Sequence, residues 1–161
     1  MIARRFCFIP LALVGLHLAC GGGGYGSSSS GPSAGTVLAS DKRIQVQAGG
    51  TQSTATGTAF PTALVVKVYS QDTVSNGDGY GGTHTVITPL SSVTVTFTIT
   101  AGTGGASGSF PGPAATATAV TDMDGLATAP ALTANGVAGT FTVAATAPGA
   151  AQAATFTLTN L

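Results

Sequence analysis

The side chains best suited to chemistry in this chain are oxygen donors in one Gly-rich stretch. Asp72, Asn76 and Asp78 lie within seven residues of one another, and Asp124 stands in a later turn. Ca²⁺ takes roughly six to eight oxygen ligands, but the spacing lacks the glutamate and the fixed frame of an EF-hand loop. We therefore keep two interpretations. The four side chains form a calcium site, or they form turns in which they bond their own backbone.

Residues suited to catalysis are scarce. After residue 19 the chain has one histidine, His84, and it contains no glutamate. A triad of His84, Asp72 and a serine can be imagined, but no nucleophile-elbow motif surrounds any serine. Asp122 and Asp124 are the closest pair of carboxylates, and a turn already accounts for both. We expect neither an enzymatic activity nor an obligatory cofactor.

The N-terminal segment has the features of an export signal. Arg4 and Arg5 precede an apolar stretch, residues 6–19, and Cys20 follows it. Those 14 residues would form a helix of about 21 Å, which is short for a bilayer core of about 30 Å. A charged start, a short apolar stretch and a small residue before the break are typical of a secretory signal peptide.

The sequence around Cys20 also resembles a bacterial lipoprotein signal. Ala19 and Cys20 match that motif, whereas His17 stands where the family has a leucine-like residue. The resemblance implies lipidation of Cys20 and an exported protein anchored in the cell envelope, at the outer membrane in a Gram-negative cell. The alternative is an ordinary secretory signal cut near Ala19, which would give a secreted protein. We divide the chain into a signal (1–19), a lipidated cysteine with a Gly/Ser tether (20–35) and one domain (36–161).

The charges beyond the signal are few and mixed. Three basic and five acidic side chains remain: Lys42, Arg43, Lys67 and Asp41, Asp72, Asp78, Asp122, Asp124. No basic stripe is present, so we expect no nucleic-acid partner. The tether of about 15 residues has a root-mean-square reach of ~20 Å as a flexible coil.

A two-residue period runs through the domain and predicts β-strands. Apolar and threonine side chains alternate in three segments, at residues 93–100, 140–145 and 155–159, and in a fourth, residues 64–69, Leu64, Val66 and Val68 alternate with Val65, Lys67 and Tyr69. Successive side chains of a strand point to opposite faces, so this alternation is typical of half-buried antiparallel strands. Gly, Asn and Pro turn signals separate the segments. The residues therefore predict an all-β sandwich or barrel, with a hairpin turn at Thr121-Asp122-x-Asp124-Gly125.

An ordered set of sequence blocks gives the domain a family resemblance. The blocks are residues 50–52, 60–61, 64–68, 93–97, 108–110, 120–127, 132–135, 138–145 and 154–160. Together they resemble the bacterial Ig-like domain, group 1, of invasin- and intimin-type surface proteins. The resemblance implies an Ig-like antiparallel β-sandwich of about seven to nine strands. It departs at residues 71–92, where the family has a short turn; we predict a loop or an extended hairpin there.

Two functional hypotheses follow. The first is a non-enzymatic, lipid-anchored Ig-like module with a structural or adhesive role, bound to an unknown protein or glycan at the cell surface. The second is a surface module that binds calcium or carbohydrate through residues 71–92. Tyr25, Tyr69 and Tyr80 are the aromatic residues available for stacking on a sugar.

Overall fold

The computed structural model describes residues 35–77 and 80–161. The predicted signal peptide, Cys20, nearly all of the tether and Asp78 lie outside these residues. The described part is all-β, and it contains no helix long and apolar enough to cross a membrane. Its strands are β1 (Val37–Ala48), β2 (Thr51–Thr54), β3 (Val65–Ser75), β4 (Thr83–Pro89), β5 (Thr94–Thr100), β6 (Gly108–Ser109), β7 (Thr116–Val120), β8 (Leu126–Thr128), β9 (Thr133–Ala134), β10 (Gly139–Thr146) and β11 (Ala154–Asn160).

Two main sheets form the sandwich, which confirms the predicted all-β class. One sheet contains β1, β3, β4 and β8, and the other has the order β2-β11-β10-β5-β7. A small third sheet pairs β6 with β9. All pairs are antiparallel except β2 with β11, which is parallel. The described residues hold eleven strands where seven to nine were predicted, because four short strands of two to four residues add to seven longer ones.

The predicted two-residue period corresponds to four of the longer strands, β3, β5, β10 and β11. In each, apolar side chains occupy the core-facing positions, and in β5, β10 and β11 most of the alternate positions are more exposed threonines, as the alternating burial of β11 shows. Val66, Phe97, Val143 and Phe156 are fully buried. Burying one such side chain contributes about 1.5–3 kcal/mol, and this repeated gain holds the two sheets together.

Phenylalanine rings fill the space between the sheets. Phe97 and Phe156 lie 6.3 Å apart between ring centroids. Phe60 and Phe141 meet edge to face at 5.9 Å. These separations fall within the range that aromatic pairs prefer, so the core gains contact energy without a tryptophan.

The turn predicted at residues 121–125 forms, but it does not close a hairpin. The Asp122 carboxylate accepts hydrogen bonds from the backbone N–H groups of Asp124 and Leu126, each at 2.9 Å. Gly125 adopts a φ of 75°, which glycine tolerates best. The predicted hairpin is wrong because β7 pairs with β5, whereas β8 crosses to the other sheet and pairs with β3. The turn therefore connects the two sheets.

Thr121 ties this turn to the connection before β5. Its hydroxyl accepts a hydrogen bond from the Val93 N–H at 2.9 Å and donates one to the Leu90 carbonyl at 2.7 Å. The residue is only 4% exposed. Because water cannot readily replace these bonds, each group left unpaired would cost free energy.

We predict that Thr121→Val lowers the free energy of unfolding by about 1–3 kcal/mol, since it leaves the Val93 N–H and the Leu90 carbonyl without their partner. Urea denaturation measures the change. Thr118→Val is the matched control on the exposed face of β7, and we expect it to change stability by less than about 0.5 kcal/mol. Equal effects of the two substitutions would contradict the role assigned to Thr121.

Candidate functional site

Part of the first sheet extends beyond the core, and we call this part the arm. It consists of residues 37–42 of β1, residues 69–75 of β3 and all of β4. Val66 and Val68 of β3 are buried in the core, whereas every residue of the arm is exposed or half-buried. The predicted loop or extended hairpin at residues 71–92 is thus an extended hairpin, with β3 and β4 paired from Tyr69↔Pro89 to Ser75↔Thr83.

The arm forms because its strands satisfy one another's backbone groups outside the core. β1 pairs with β3 from Val37↔Val74 onward, and β4 pairs with the opposite edge of the same stretch of β3. A three-stranded sheet can be stable where an isolated hairpin is marginal, which explains why β1 follows β3 over the full length of the arm.

Asp72 lies at the centre of one face of the arm. Its Oδ1 accepts a hydrogen bond from the Ser40 hydroxyl at 2.5 Å, and its Oδ2 accepts one from the Ser70 hydroxyl at 3.2 Å. Ser40 lies directly across from Asp72 in the register of β1 and β3. Both carboxylate oxygens therefore have partners within the arm, and these bonds join β1 to β3.

At the outer end of the arm, Asn76 and His84 join β3 to β4. His84 Nδ1 lies 2.9 Å from Asn76 Oδ1, and the Asn76 N–H donates to the Gly82 carbonyl at 2.8 Å. These two contacts join β3 and β4 next to the turn that connects them. Tyr80 lies in that turn and is 94% exposed.

The predicted calcium ligands are only partly brought together. Asp72 and Asn76 share the arm, while Asp78 lies outside the described residues. Asp124 is distant, because its neighbour Gly125 bonds Val68, and Asp72 lies four residues further along β3, or about 13 Å. Within residues 35–77 and 80–161, no group of three or more acidic, histidine or cysteine side chains could hold a metal ion.

The imagined catalytic residues make separate hydrogen bonds. His84 bonds Asn76, whereas Asp72 bonds Ser40 and Ser70. These bonds do not connect the imidazole with the carboxylate, and a Ser–His–Asp mechanism requires that connection.

A recess with a cavity volume of about 330 Å³ lies where β1 meets the β10–β11 connection, and Lys42 forms a β-bridge with Ala150 there. The Lys42 ammonium donates to the Pro148 carbonyl at 2.9 Å and holds the β10–β11 connection against β1. Arg43 pairs with Asp41 at 3.4 Å on the exposed surface. No local motif predicts this recess, because β1 and the β10–β11 connection, which form its two walls, are more than a hundred residues apart in the chain. The only local signal was the charged triplet 41–43 in a chain with few charges.

The tyrosines proposed for sugar stacking are separated. Tyr69 lies between Arg43 of β1 and Pro89 of β4 in the sheet register, and its hydroxyl donates to Gln45 Oε1 at 3.3 Å. Tyr80 lies in the turn at the outer end of the arm, eleven residues later, and Tyr25 lies outside the described residues. The described tyrosines therefore form no shared stacking platform on one strand.

Comparison with known proteins adds no identification. No protein-family model matches the chain, and no curated protein has a significant match to it. The structure itself establishes the all-β fold.

We expect millimolar Ca²⁺ to leave the melting temperature unchanged, because both oxygens of Asp72 are already hydrogen-bonded and Asp124 lies far from it. Specific binding to the folded state would raise the melting temperature by mass action. An upward shift that Asp78→Ala abolishes, and that the control Asp41→Ala retains, would contradict this expectation and favour a calcium site in the hairpin.

Proposed function

We propose that this protein is a non-enzymatic module of the cell envelope, held by a lipid on Cys20, with a structural or adhesive role. The lipoprotein-like segment before Cys20 supports export and anchoring. The β-sandwich that follows the tether supports the second part of the proposal, a domain that presents a surface to a binding partner. The Ig-like assignment of that sandwich is part of the proposal and depends on the sequence blocks described above.

The observation that carries this proposal is the arm. It is a folded sheet that extends beyond the core, with no buried residue and with β4 exposed along its full length. A domain that only needed stability would gain little from exposing so much ordered backbone. Exposed strand edges are a common site for binding another chain.

The tether joins the domain at the outer end of the arm. Thr36 accepts a hydrogen bond from the Ser75 N–H at 2.9 Å, next to the turn that leads into β4. Gly35 is packed so closely that a Cβ there would collide with the Ser75 carbonyl. The attachment point of residues 20–35 and the end of the hairpin therefore coincide. In the proposed anchored state, the arm's outer end would lie on average about 20 Å from the membrane, the root-mean-square reach of a flexible tether.

The alternative function is binding of calcium or carbohydrate through residues 71–92. The hydrogen bonds of Asp72 and the distance of Asp124 weigh against a four-ligand calcium site, and the separation of Tyr69 from Tyr80 weighs against a stacking platform. Protein contact through the arm uses features that the described residues supply, so we favour it.

We predict that the mature protein begins with a lipid-modified Cys20 and that Cys20→Ser moves it from the membrane fraction to the soluble fraction. Cys7→Ser is the matched control, since Cys7 belongs to the segment that would be removed, and it should leave membrane association unchanged. Mass spectrometry of the N-terminus and cell fractionation test both points. The proposed lipid anchor would be contradicted if Cys20 is unmodified or if the mature protein still contains residues 1–19.

A further inference from the structure

Among the described residues, β4 is a sheet edge that no other element covers. Natural proteins cover such edges or protect them with charged side chains, proline or a bulge, because the free backbone groups can pair with another chain. β4 has the sequence Thr83-His84-Thr85-Val86-Ile87-Thr88-Pro89, in which no residue carries a fixed charge and the one proline stands at the end. All seven residues are exposed, with Val86 at 37% and Ile87 at 61%.

The hydrogen-bond pattern identifies the backbone groups that remain open. The Leu90 N–H donates to the Val68 carbonyl, and the Asn76 N–H donates to the Gly82 carbonyl. Hydrogen-bonded pairs alternate along an antiparallel ladder, so the even-numbered residues of β4 direct their backbone groups to β3. Thr83, Thr85 and Ile87 direct theirs outward, and among the described strands β4 pairs only with β3.

From this edge we infer that β4 pairs with β4 of a second copy of this chain, antiparallel and centred on Val86, to form a continuous six-stranded sheet from two arms. In this register Thr85 exchanges two hydrogen bonds with Ile87 of the second copy, and Ile87 exchanges two with its Thr85. Each Thr83 N–H can donate to the Pro89 carbonyl across the pair. The missing N–H of Pro89 lies at the end of the ladder, where it costs least.

The side chains of β4 are compatible with themselves in this register. On one face Val86 meets Val86 of the second copy, and His84 meets Thr88. On the other face Thr85 of one copy meets Ile87 of the other, and cross-strand pairs of β-branched residues are favourable. No fixed charge faces another, since the two Asp72 carboxylates are separated by three strand spacings, about 14 Å, which exceeds the screening length of roughly 8 Å at physiological salt.

The tether favours a second copy over a foreign chain. This inference rests on the proposed function in one respect, the anchoring of Cys20. In the antiparallel pair the two outer ends, and hence the two tethers, lie at opposite ends of the joined strands, about 20 Å apart. Both tethers reach one membrane when the two-fold axis of the pair stands along the membrane normal. A seven-residue edge buries less surface than a stable dimer needs. We therefore expect weak, reversible pairing, which confinement to a membrane strengthens by raising the effective concentration.

Disulfide trapping tests this register in the purified full-length protein. In the proposed pair, the two Val86 Cα atoms form a non-hydrogen-bonded pair about 4.5 Å apart, within disulfide range. Mild oxidation of Val86→Cys should therefore give a covalent dimer. Thr85→Cys is the matched control, because the two Thr85 positions are offset by two residues and lie about 8 Å apart, too far for a disulfide.

Thr118→Cys provides a second control on β7, an exposed and uncharged edge strand of the other main sheet, and the wild-type protein gives the background from Cys7 and Cys20. The inference is supported if Val86→Cys gives much more covalent dimer than either control and if adding Ile87→Lys to Val86→Cys reduces that dimer several-fold. Equal trapping at Thr85 or Thr118 would mean random collision or another edge, and trapping no greater than wild type would mean no such pair. Either result overturns it.

Sedimentation of the wild-type protein gives a second readout that needs no substitution. Reversible pairing predicts an average mass that rises with protein concentration. A monomer at every concentration overturns the inference but leaves the fate of Cys20 untouched, so failure of the pairing is distinguishable from failure of the anchor.

Discussion

β3 is the strand on which the rest of this structure depends. It pairs with β1 along one edge and with β8 and then β4 along the other. Its first half places Val66 and Val68 in the core, while its second half carries Ser70 and Asp72 outside it. Alternate side chains of a strand share one face, so Val66, Val68, Ser70 and Asp72 lie on the same face of β3. This face is buried in the core at the two valines and makes hydrogen bonds at Ser70 and Asp72. The core therefore fixes where the arm begins and which way it extends.

The sequence predicted the strands of the core well because their periodicity is local. Phe141 and Val143 alternate with threonines, and this pattern needs no knowledge of distant residues. Long-range pairing is different. The turn at residues 121–125 has the composition of a hairpin turn, yet β8 pairs with β3 in the opposite sheet. A hairpin turn within one sheet and a connection between two sheets can have the same local turn residues. Only the packing of the two sheets decides which of them forms.

The candidate site was predictable only in outline. Residues 71–92 are predicted from the sequence as a loop or an extended hairpin, but the second half of β3 has no apolar alternation that would predict a strand. The partner that orders it, residues 37–42 of β1, lies about thirty residues away in the chain. Asp72 illustrates the consequence. As a sequence feature it suggested a metal ligand, whereas in the structure its carboxylate joins two strands through Ser40 and Ser70.

The central claim is that the arm is a formed sheet whose β4 edge is open in the single molecule. Residue-resolved amide hydrogen exchange of dilute protein tests it most directly. The account predicts slow exchange at His84, Val86 and Thr88, whose N–H groups face β3, and fast exchange at Thr85 and Ile87. Uniformly fast exchange across β4 would mean that the arm is not formed, and uniformly slow exchange would mean that its edge is already covered. Either result would contradict the account.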